Sequence, residues 1–253
     1  MTQTGPDWSS LVGDYHAAHA GITEDLLMPM VDAAGREPYG WLVDGLAGTG
    51  LVWDACCGSA PVADRVGLGR YRGVDASAAE LAAARRRRPG VAVTQGDVHA
   101  VPLPAGVTAV TVAMALMLLD LDAFLGHLAP ALPSGALVHA IVPNRGPAAG
   151  LSDYAELLTL LGQAGIAYRE PLDPAGLRSR FAAAGFTLDD DETALFHRPV
   201  RTGAEVALVV HSFYAPGAQA AGVEEARRWL SERRRAPGYA LAYPLRRLRA
   251  HRR

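Results

Sequence analysis

Three aspartates and one glycine stand where a chain of this kind can hold a nucleoside. Asp54 lies in the apolar run Leu51-Val52-Trp53-Asp54-Ala55 and Gly58 in the turn that follows, while Asp75 closes the segment Tyr71 to Val74 and Asp97 follows Ala92 to Thr94. Gly58, Asp75 and Asp97 recur at spacings of roughly 20 residues, as ligand-binding positions do in successive strand-helix units. A carboxylate accepts two hydrogen bonds, which suits the paired hydroxyls of a ribose, and Asp75 has the position for it. Gly58 permits a ligand to approach the backbone of the first turn closely. Asp97 can accept a bond from an exocyclic amine such as that of adenine, while the backbone N–H of Val98 reaches a ring nitrogen. Taken singly, a strand-end Asp is an ordinary cap or turn former. The ordered set points to a nucleoside.

These positions require strand ends on one edge of a sheet. The spacing predicts strands over 51–55, 71–74, 92–94 and 136–142, with the apolar run 107–119 supplying a fourth in chain order before the last of these. Between them come a helix opening at 62–66, an Ala-rich helix capped by Ser77 and running to about Arg88, and a helix from Leu121 to Leu132. Strands that alternate with helices and lack polar alternation of their own indicate a parallel sheet covered on both faces, a doubly wound α/β fold. Residues 7–34 read as helical pieces with Asp7 and Thr23 as N-caps and Gly35 as a stop. Beyond Pro143 helices are expected at 152–164, 174–184, from Thr202 toward Tyr214 and from Val223 to Arg235, with a strand beginning at Gly185. The run Asp189 to Glu192 reads as solvated, Tyr239 to Leu245 as a terminal edge strand that tolerates Pro244, Arg85 to Arg88 as a solvated helix end, and Arg246, Arg247, Arg249, Arg252 and Arg253 as a frayed tail.

Composition removes several classes of function. With 253 residues, 50% of them hydrophobic and 20% charged, the chain buries a core and is neither collagenous nor disordered. All 24 basic residues are Arg, so Schiff-base chemistry and every phosphate loop built on Lys are excluded. A formal charge of -2 provides no general field for a polyanion, and nucleic acid is not an expected partner. The two cysteines, Cys56 and Cys57, are neighbours and supply neither an ordinary disulfide nor a metal set, which fits a reduced, cytoplasmic setting. Met1 to Gly13 has no secretion-signal pattern, and no apolar run approaches the roughly 20 residues of a membrane span. A soluble protein, monomeric or homodimeric, is expected.

Val52-Trp53-Asp54-Ala55-Cys56-Cys57-Gly58-Ser59-Ala60 resembles the first motif of the class I S-adenosylmethionine-dependent methyltransferases, an acid followed by a glycine-rich turn. Gly73-Val74-Asp75-Ala76-Ser77 resembles the second motif, Gln95-Gly96-Asp97-Val98 with Pro102 the third, and Leu132-Pro133-Ser134-Gly135-Ala136-Leu137 the turn into the fifth strand. The likeness covers roughly residues 40–143 and is similar to the ubiquinone/menaquinone-biosynthesis type and to small-molecule methyltransferases of bacterial secondary metabolism. It implies a Rossmann-like, mostly parallel seven-stranded sheet, a helical lid over 1–40, a methyltransferase-like domain over 41–253, and helical cap insertions at about 145–170 and 202–235. It further implies S-adenosyl-L-methionine as cofactor, held by Tyr15 in the lid and by Asp54, Cys56, Gly58, Asp75, Ala76, Asp97, Val98 and Ala113. Cys56 and Ala60 stand where the family has glycine, and Val107-Thr108 where it has Phe-Asp.

The chemistry implied is alignment of a nucleophile with a sulfonium methyl. Met114-Ala115-Leu116-Met117-Leu118 replaces the polar residues often found at the end of the fourth strand, so the acceptor side is apolar. Met114, Met117 and Tyr214 are its candidate walls, plain core being the alternative for Met117. A protonated acceptor needs a base near neutrality, and His16, His19 and His211 are the candidates. Two other readings share the pattern. One is a protein that binds S-adenosylmethionine without transferring its methyl group. The other is an NAD-dependent oxidoreductase, whose phosphate turn needs more glycine than residues 56–60 supply.

Overall fold

Apolar, β-branched segments between residues 51 and 143 form five parallel strands. They are β1 (Leu51–Ala55), β2 (Tyr71–Asp75), β3 (Val93–Gln95), β4 (Val107–Ala113) and β5 (Leu137–Pro143). Two long strands, β6 (Phe186–Pro199) and β7 (Ala240–Arg252), complete a seven-stranded sheet of order β3-β2-β1-β4-β5-β7-β6. Only β7 runs against its neighbours. The doubly wound, mostly parallel sheet expected from the sequence is therefore present. The computed structural model describes residues 8–144, 152–162, 172–213 and 218–253.

Helices α1 (Trp8–Ala18), α2 (Ile22–Leu27) and α3 (Pro38–Val43) precede the sheet, and α4 (Ala63–Val66), α5 (Ala78–Arg87) and α6 (Leu121–Leu128) lie in the crossovers. Between β5 and β6 come α7 (Ser152–Leu160) and α8 (Pro174–Ala183); between β6 and β7 come α9 (Gly203–Ser212) and α10 (Ala220–Arg233). Successive side chains of β1 explain why both faces are covered. Val52 joins a core with Leu27, Trp41, Phe196 and Leu230, whereas Trp53 joins a second core with Val112, Phe124, Phe181 and Phe186. Local chemistry sets the helix starts: the side chains of Ser77, Asp120 and Asp173 accept from Glu80, Ala123 and Gly176 N–H, and Thr202 with Glu205 forms a capping box.

Several expectations change. Thr23 lies inside α2, whose N-cap is Gly21 in the left-handed region, so Thr23 caps nothing. Asp7, Tyr214 and residues 163–164 lie outside the described residues. The helix after Leu121 stops at Leu128, short of Leu132. The strand containing Pro244 is not an edge: β7 runs on to Arg252 between β5 and β6, and the Pro244 carbonyl still accepts the Asn144 N–H at 3.0 Å. The acidic run and the arginine-rich end are not solvated separately but face each other across β6 and β7. Asp191 pairs with Arg246 at 2.5 Å, Glu192 with Arg247 at 2.7 Å, Asp190 with Arg249 at 2.5 Å and Asp189 with His251 at 2.8 Å. Cross-strand ion pairs thus join Asp190, Asp191 and Glu192 to Arg249, Arg246 and Arg247, while Arg252 and Arg253 bond backbone carbonyls.

The supposed solvated helix end is also partly interior. Arg88 caps α5 with a side chain 7% exposed, 2.6 Å from both Glu24 of α2 and Asp64 of α4. Ser59 donates its hydroxyl to the same Glu24 at 2.6 Å, and the Ser59 carbonyl accepts from Arg88. Burial pushes the Glu24 carboxyl up, but bonds from Arg88, Ser59 and Arg87 outweigh it and hold the group below its ordinary value. Arg88→Met should leave Glu24 buried with only part of its counter-charge and cost about 3 kcal/mol in denaturant unfolding. A loss below about 1 kcal/mol would mean that Arg87 alone neutralises it.

Candidate functional site

At the end of β1 the chain turns out of the sheet through hydrogen bonds to β2. Cys57 N–H donates to the Val74 carbonyl at 2.9 Å and Gly58 N–H to Asp75 Oδ2 at 2.8 Å. The turn needs three left-handed residues, Cys56 (φ 55), Gly58 (φ 53) and Ala60 (φ 64). Two of them bear side chains, so these positions hold a glycine-like conformation at a cost of roughly 1–2 kcal/mol each. At the end of the adjacent β4, Met114 (φ 58) repeats the strain, its N–H held by the Ile141 carbonyl at 2.8 Å. Strands β1 and β4 flank the point where the strand order reverses, the crevice in which doubly wound sheets bind ligands. Strained backbone at both strand ends marks this crevice. Gly73 of β2 closes the turn from below: a Cβ there would stand 2.7 Å from both the Cys57 sulfur and the Tyr71 hydroxyl.

Asp75 sits at the crevice with Oδ2 on Gly58 N–H and Oδ1 on Ser77 N–H, 2.8 Å each. Each carboxylate oxygen has a second lone-pair direction, so the group is oriented and still has acceptor capacity for two hydroxyls. Burial raises its pKa, the two N–H bonds oppose that rise, and the Glu80 charge adds to it. Ala76, next along, is exposed. Asp97 is exposed beyond β3, its Oδ1 accepting from His99 N–H at 2.9 Å and lying 2.7 Å from His99 Nδ1, and the backbone bond holds its pKa down. Val98 is buried in the second core. Ala113 pairs with Ile141 in β5.

Asp54 has a different environment from the one its position implies. It is 1% exposed, and both oxygens are taken, by the Tyr71 hydroxyl at 2.8 Å and the Thr111 hydroxyl at 2.7 Å. Burial pushes it up to about 7, opposed by those two bonds and assisted by the Asp75 charge. It braces β1 against β2 and β4 and presents no edge to a ligand. The thiols of Cys56 and Cys57 are pushed up by burial and by neighbouring aspartates, so neither is an activated nucleophile. Met117 is 2% exposed in the second core, whereas Met114 packs against the first; the two methionines are not brought together.

The N-terminal histidines converge on residues that sequence reasoning missed. Glu80, on α5, is 2% exposed and accepts from Gly21 N–H at 3.0 Å, with Oε1 2.6 Å from His16 Nδ1. A Cβ on Gly58 would lie 3.5 Å from the same carboxylate. Ser77-x-x-Glu80 reads as a capping box, but the glutamate reaches the N-terminal helices and Asp75 takes the Ser77 N–H. Tyr15 donates its hydroxyl to the His211 carbonyl at 2.6 Å, and burial and the Glu80 charge hold its pKa well above the usual range. Its ring lies 5.1 Å from that of His19, which lies 5.5 Å from that of His211. His211 Nε2 is 2.6 Å from an Arg227 nitrogen; burial, Arg227 and His19 lower its pKa. Of the other histidines, His139 is buried with Nδ1 on the Leu42 carbonyl, and His127 is bonded to the Val101 carbonyl.

Solved structures share this architecture. The [4+2]-cyclase SpnF superposes with a TM-score of 0.59 at 17% identity, covering 95% of this chain and 94% of that one. Magnesium protoporphyrin IX methyltransferase (ChlM) of Synechocystis PCC 6803, crystallised with bound SAH, gives 0.55 at 16% identity over 98% of this chain and 100% of that one. Phosphoethanolamine N-methyltransferase 2 of Haemonchus contortus, in complex with S-adenosyl-L-methionine, gives 0.58 at 13% identity, and this chain spans 61% of it. The fold is a methyltransferase fold. No protein-family model and no curated protein matches the sequence. Among the described residues of this methyltransferase fold, no helix is long and apolar enough to cross a membrane. The donor set at the crevice fits a nucleoside cofactor: an oriented carboxylate with spare acceptor capacity, a turn whose glycine leaves its backbone approachable, and no Lys for a phosphate.

Asp54 makes the fold sensitive to pH with a defined sign. Its folded value of about 7 exceeds the 3.8 of the free side chain, so the native state holds a proton that the unfolded chain has released. Stability from this group is intact at low pH, falls as pH rises between those values, and is reduced by of order 4 kcal/mol above them. Relative to Asp54→Asn, the wild type should therefore lose unfolding free energy between about pH 4.5 and about pH 8. A difference that stays constant with pH would show that the carboxyl titrates normally.

Proposed function

We propose that this protein is an S-adenosyl-L-methionine-dependent methyltransferase acting on a small, largely apolar or aromatic metabolite. The observation that carries the reading is Asp75, fixed by Gly58 and Ser77 N–H at the crevice of a methyltransferase fold. Cofactor-bound structures of the same fold support it. The bound cofactor supplies an electrophilic methyl group on a sulfonium, and the protein's part is to position, enclose and deprotonate. In this reading Asp75 receives the ribose hydroxyls, the backbone of residues 56–60 lies along the cofactor, and Ala76, Val98 and Asp97 flank the base. The described part of the expected lid carries Tyr15, and α7, α9 and α10 form the cap over the acceptor; residues 1–7, 145–151, 163–170 and 214–217 of the expected lid and cap segments lie outside the described residues.

Aromatic packing supports an apolar acceptor. Tyr154, Phe213 and Tyr243 stack from α7, the end of α9 and β7 with ring centroids 5.0 to 6.1 Å apart. Met114 lies at the end of β4, with the cap packed over the same core. His211 is a poor proton acceptor, because burial and then Arg227 lower its pKa and Arg227 donates to its Nε2. His16 has the arrangement that orients an imidazole, Nδ1 against a buried carboxylate. A monomer or homodimer in bacterial secondary metabolism, working in the cytoplasm on neither nucleic acid nor membrane, completes the reading.

A second reading is favoured by one observation: SpnF, named a [4+2]-cyclase, has this architecture over nearly the whole chain. A protein that binds the cofactor without transferring methyl would share every contact described for Asp75. An NAD-dependent oxidoreductase has less support, since side chains occupy two of the three left-handed positions in the first turn. Calorimetry should detect S-adenosylmethionine and S-adenosylhomocysteine, and thermal shifts should exceed those with NAD. Asp75→Ala should weaken cofactor binding by about a hundredfold, the loss of charge-assisted bonds to two hydroxyls. Absence of binding to the folded protein sinks the proposal; unchanged affinity in the variant sinks the ribose assignment. Release of S-adenosylhomocysteine with an acceptor separates methyl transfer from the cyclase-like alternative.

A further inference from the structure

At the seam between the N-terminal helices and the cap, three nitrogenous side chains meet without a closely matching acid among the described residues. Arg227 of α10 donates to His211 of α9 at 2.6 Å, and His19, just after α1, lies 5.5 Å from His211 ring to ring. The acid that the described residues place beside this guanidinium is Glu224, 3.8 Å away on the same helix, with a side chain 74% exposed. Arg227 Nε is buried with no hydrogen-bond partner. A guanidinium normally finds a carboxylate or phosphate for its planar fork; here it spends one N–H on a neutral imidazole and leaves another unmade. Burial, Arg227 and His19 all lower the His211 pKa. The neighbouring acid Glu80 is committed to His16 and the Gly21 N–H.

We infer that Arg227, His211 and His19 form a subsite for an anionic group, a carboxylate or phosphate, on the methyl acceptor. An anion there satisfies the Arg227 fork and lets the imidazoles donate. Phe213, two residues beyond His211, belongs to the aromatic group with Tyr154 and Tyr243. The acceptor class that fits both features is an aromatic or apolar body bearing one acidic substituent. This inference rests on the methyl-transfer reading for the word acceptor, but the subsite itself is tested without it.

Inorganic phosphate should raise the melting temperature of the full chain saturably. Arg227→Gln should require about tenfold more phosphate for the same shift, the loss of one charge-assisted contact. Arg228→Gln, an exposed neighbour paired with Glu225, should respond as the wild type does. With S-adenosylhomocysteine saturating, benzoate should stabilise the protein more than its neutral counterpart benzamide, and Arg227→Gln should abolish the difference. No saturable phosphate response, an unchanged response in Arg227→Gln, or equal effects of benzoate and benzamide would overturn the subsite. Competition between phosphate and S-adenosylmethionine would overturn its assignment to the acceptor, because the cluster would then hold the cofactor's own carboxylate. Failure of the cofactor to bind at all removes the methyl-transfer reading and leaves the phosphate arm to decide the cluster.

Discussion

The turn after β1 can leave the sheet only because β2 claims its first two free N–H groups. Cys57 bonds to the Val74 carbonyl and Gly58 to the Asp75 carboxylate, so the backbone is held away from β1 before any helix begins. This constraint sets much of what surrounds it. Gly73 has no side chain because the Cys57 sulfur and the Tyr71 hydroxyl occupy that space. Cys56 and Ala60 accept a left-handed conformation because the bonds on either side over-determine it. Asp75 is fixed in orientation by the same bond that fixes the turn, so the carboxylate at the crevice and the approachable backbone are parts of one interaction.

Acidic residues then attach the N-terminal helices to this turn from two sides. Glu80 reaches His16 and Gly21 while lying against Gly58; Glu24 reaches Ser59 while paired with Arg88. Neighbouring residues of the turn thus contact carboxylates that also hold α1 and α2. Asp54, Asp75, Glu24 and Glu80 place four acids close to one loop, and only Glu24 has arginine partners. With Asp54 holding a proton and Glu24 paired with arginine, Asp75 and Glu80 are the acids left beside the turn to favour a sulfonium over an anionic cofactor.

Parts of this arrangement were legible in the sequence because they are local. Strand, turn and helix at 51–66, the Ser77 cap and the acids at the ends of β2 and β3 are set by neighbours within a few positions, and a parallel sheet covered on both faces follows from alternation of strands and helices. Pairings between distant segments were not legible. Asp189 to Glu192 and Arg246 to His251 each resemble a solvated run alone, and only cross-strand register reveals that they neutralise one another. Arg88 looks like the end of an exposed helix until α2 brings Glu24 against it. Glu80 was hidden by its own motif, since a capping glutamate and a tethering one have the same spacing from Ser77. Asp54 stands at the acidic position of the motif that the sequence resembles but is enclosed by Tyr71 and Thr111, a distinction that depends on side-chain direction across three strands.

The sheet order has a mechanical consequence for the cap. Strand β6 touches the rest of the sheet through β7 alone, and helices α9 and α10 are strung between those two strands. Both ends of the helical pair are therefore pinned to adjacent antiparallel strands, side by side on a ribbon stiffened by charge pairs. Such a suspension permits rotation about the line joining the two pins and resists translation away from the sheet. The seam with the N-terminal helices, made by the Tyr15 hydroxyl on the His211 carbonyl, lies at the far end of α9 from its pin. Any swing of α9 and α10 away from the sheet is then a trapdoor motion, hinged at the β6–β7 ribbon and held shut by the Tyr15–His211 bond together with the packing of α9 on α2.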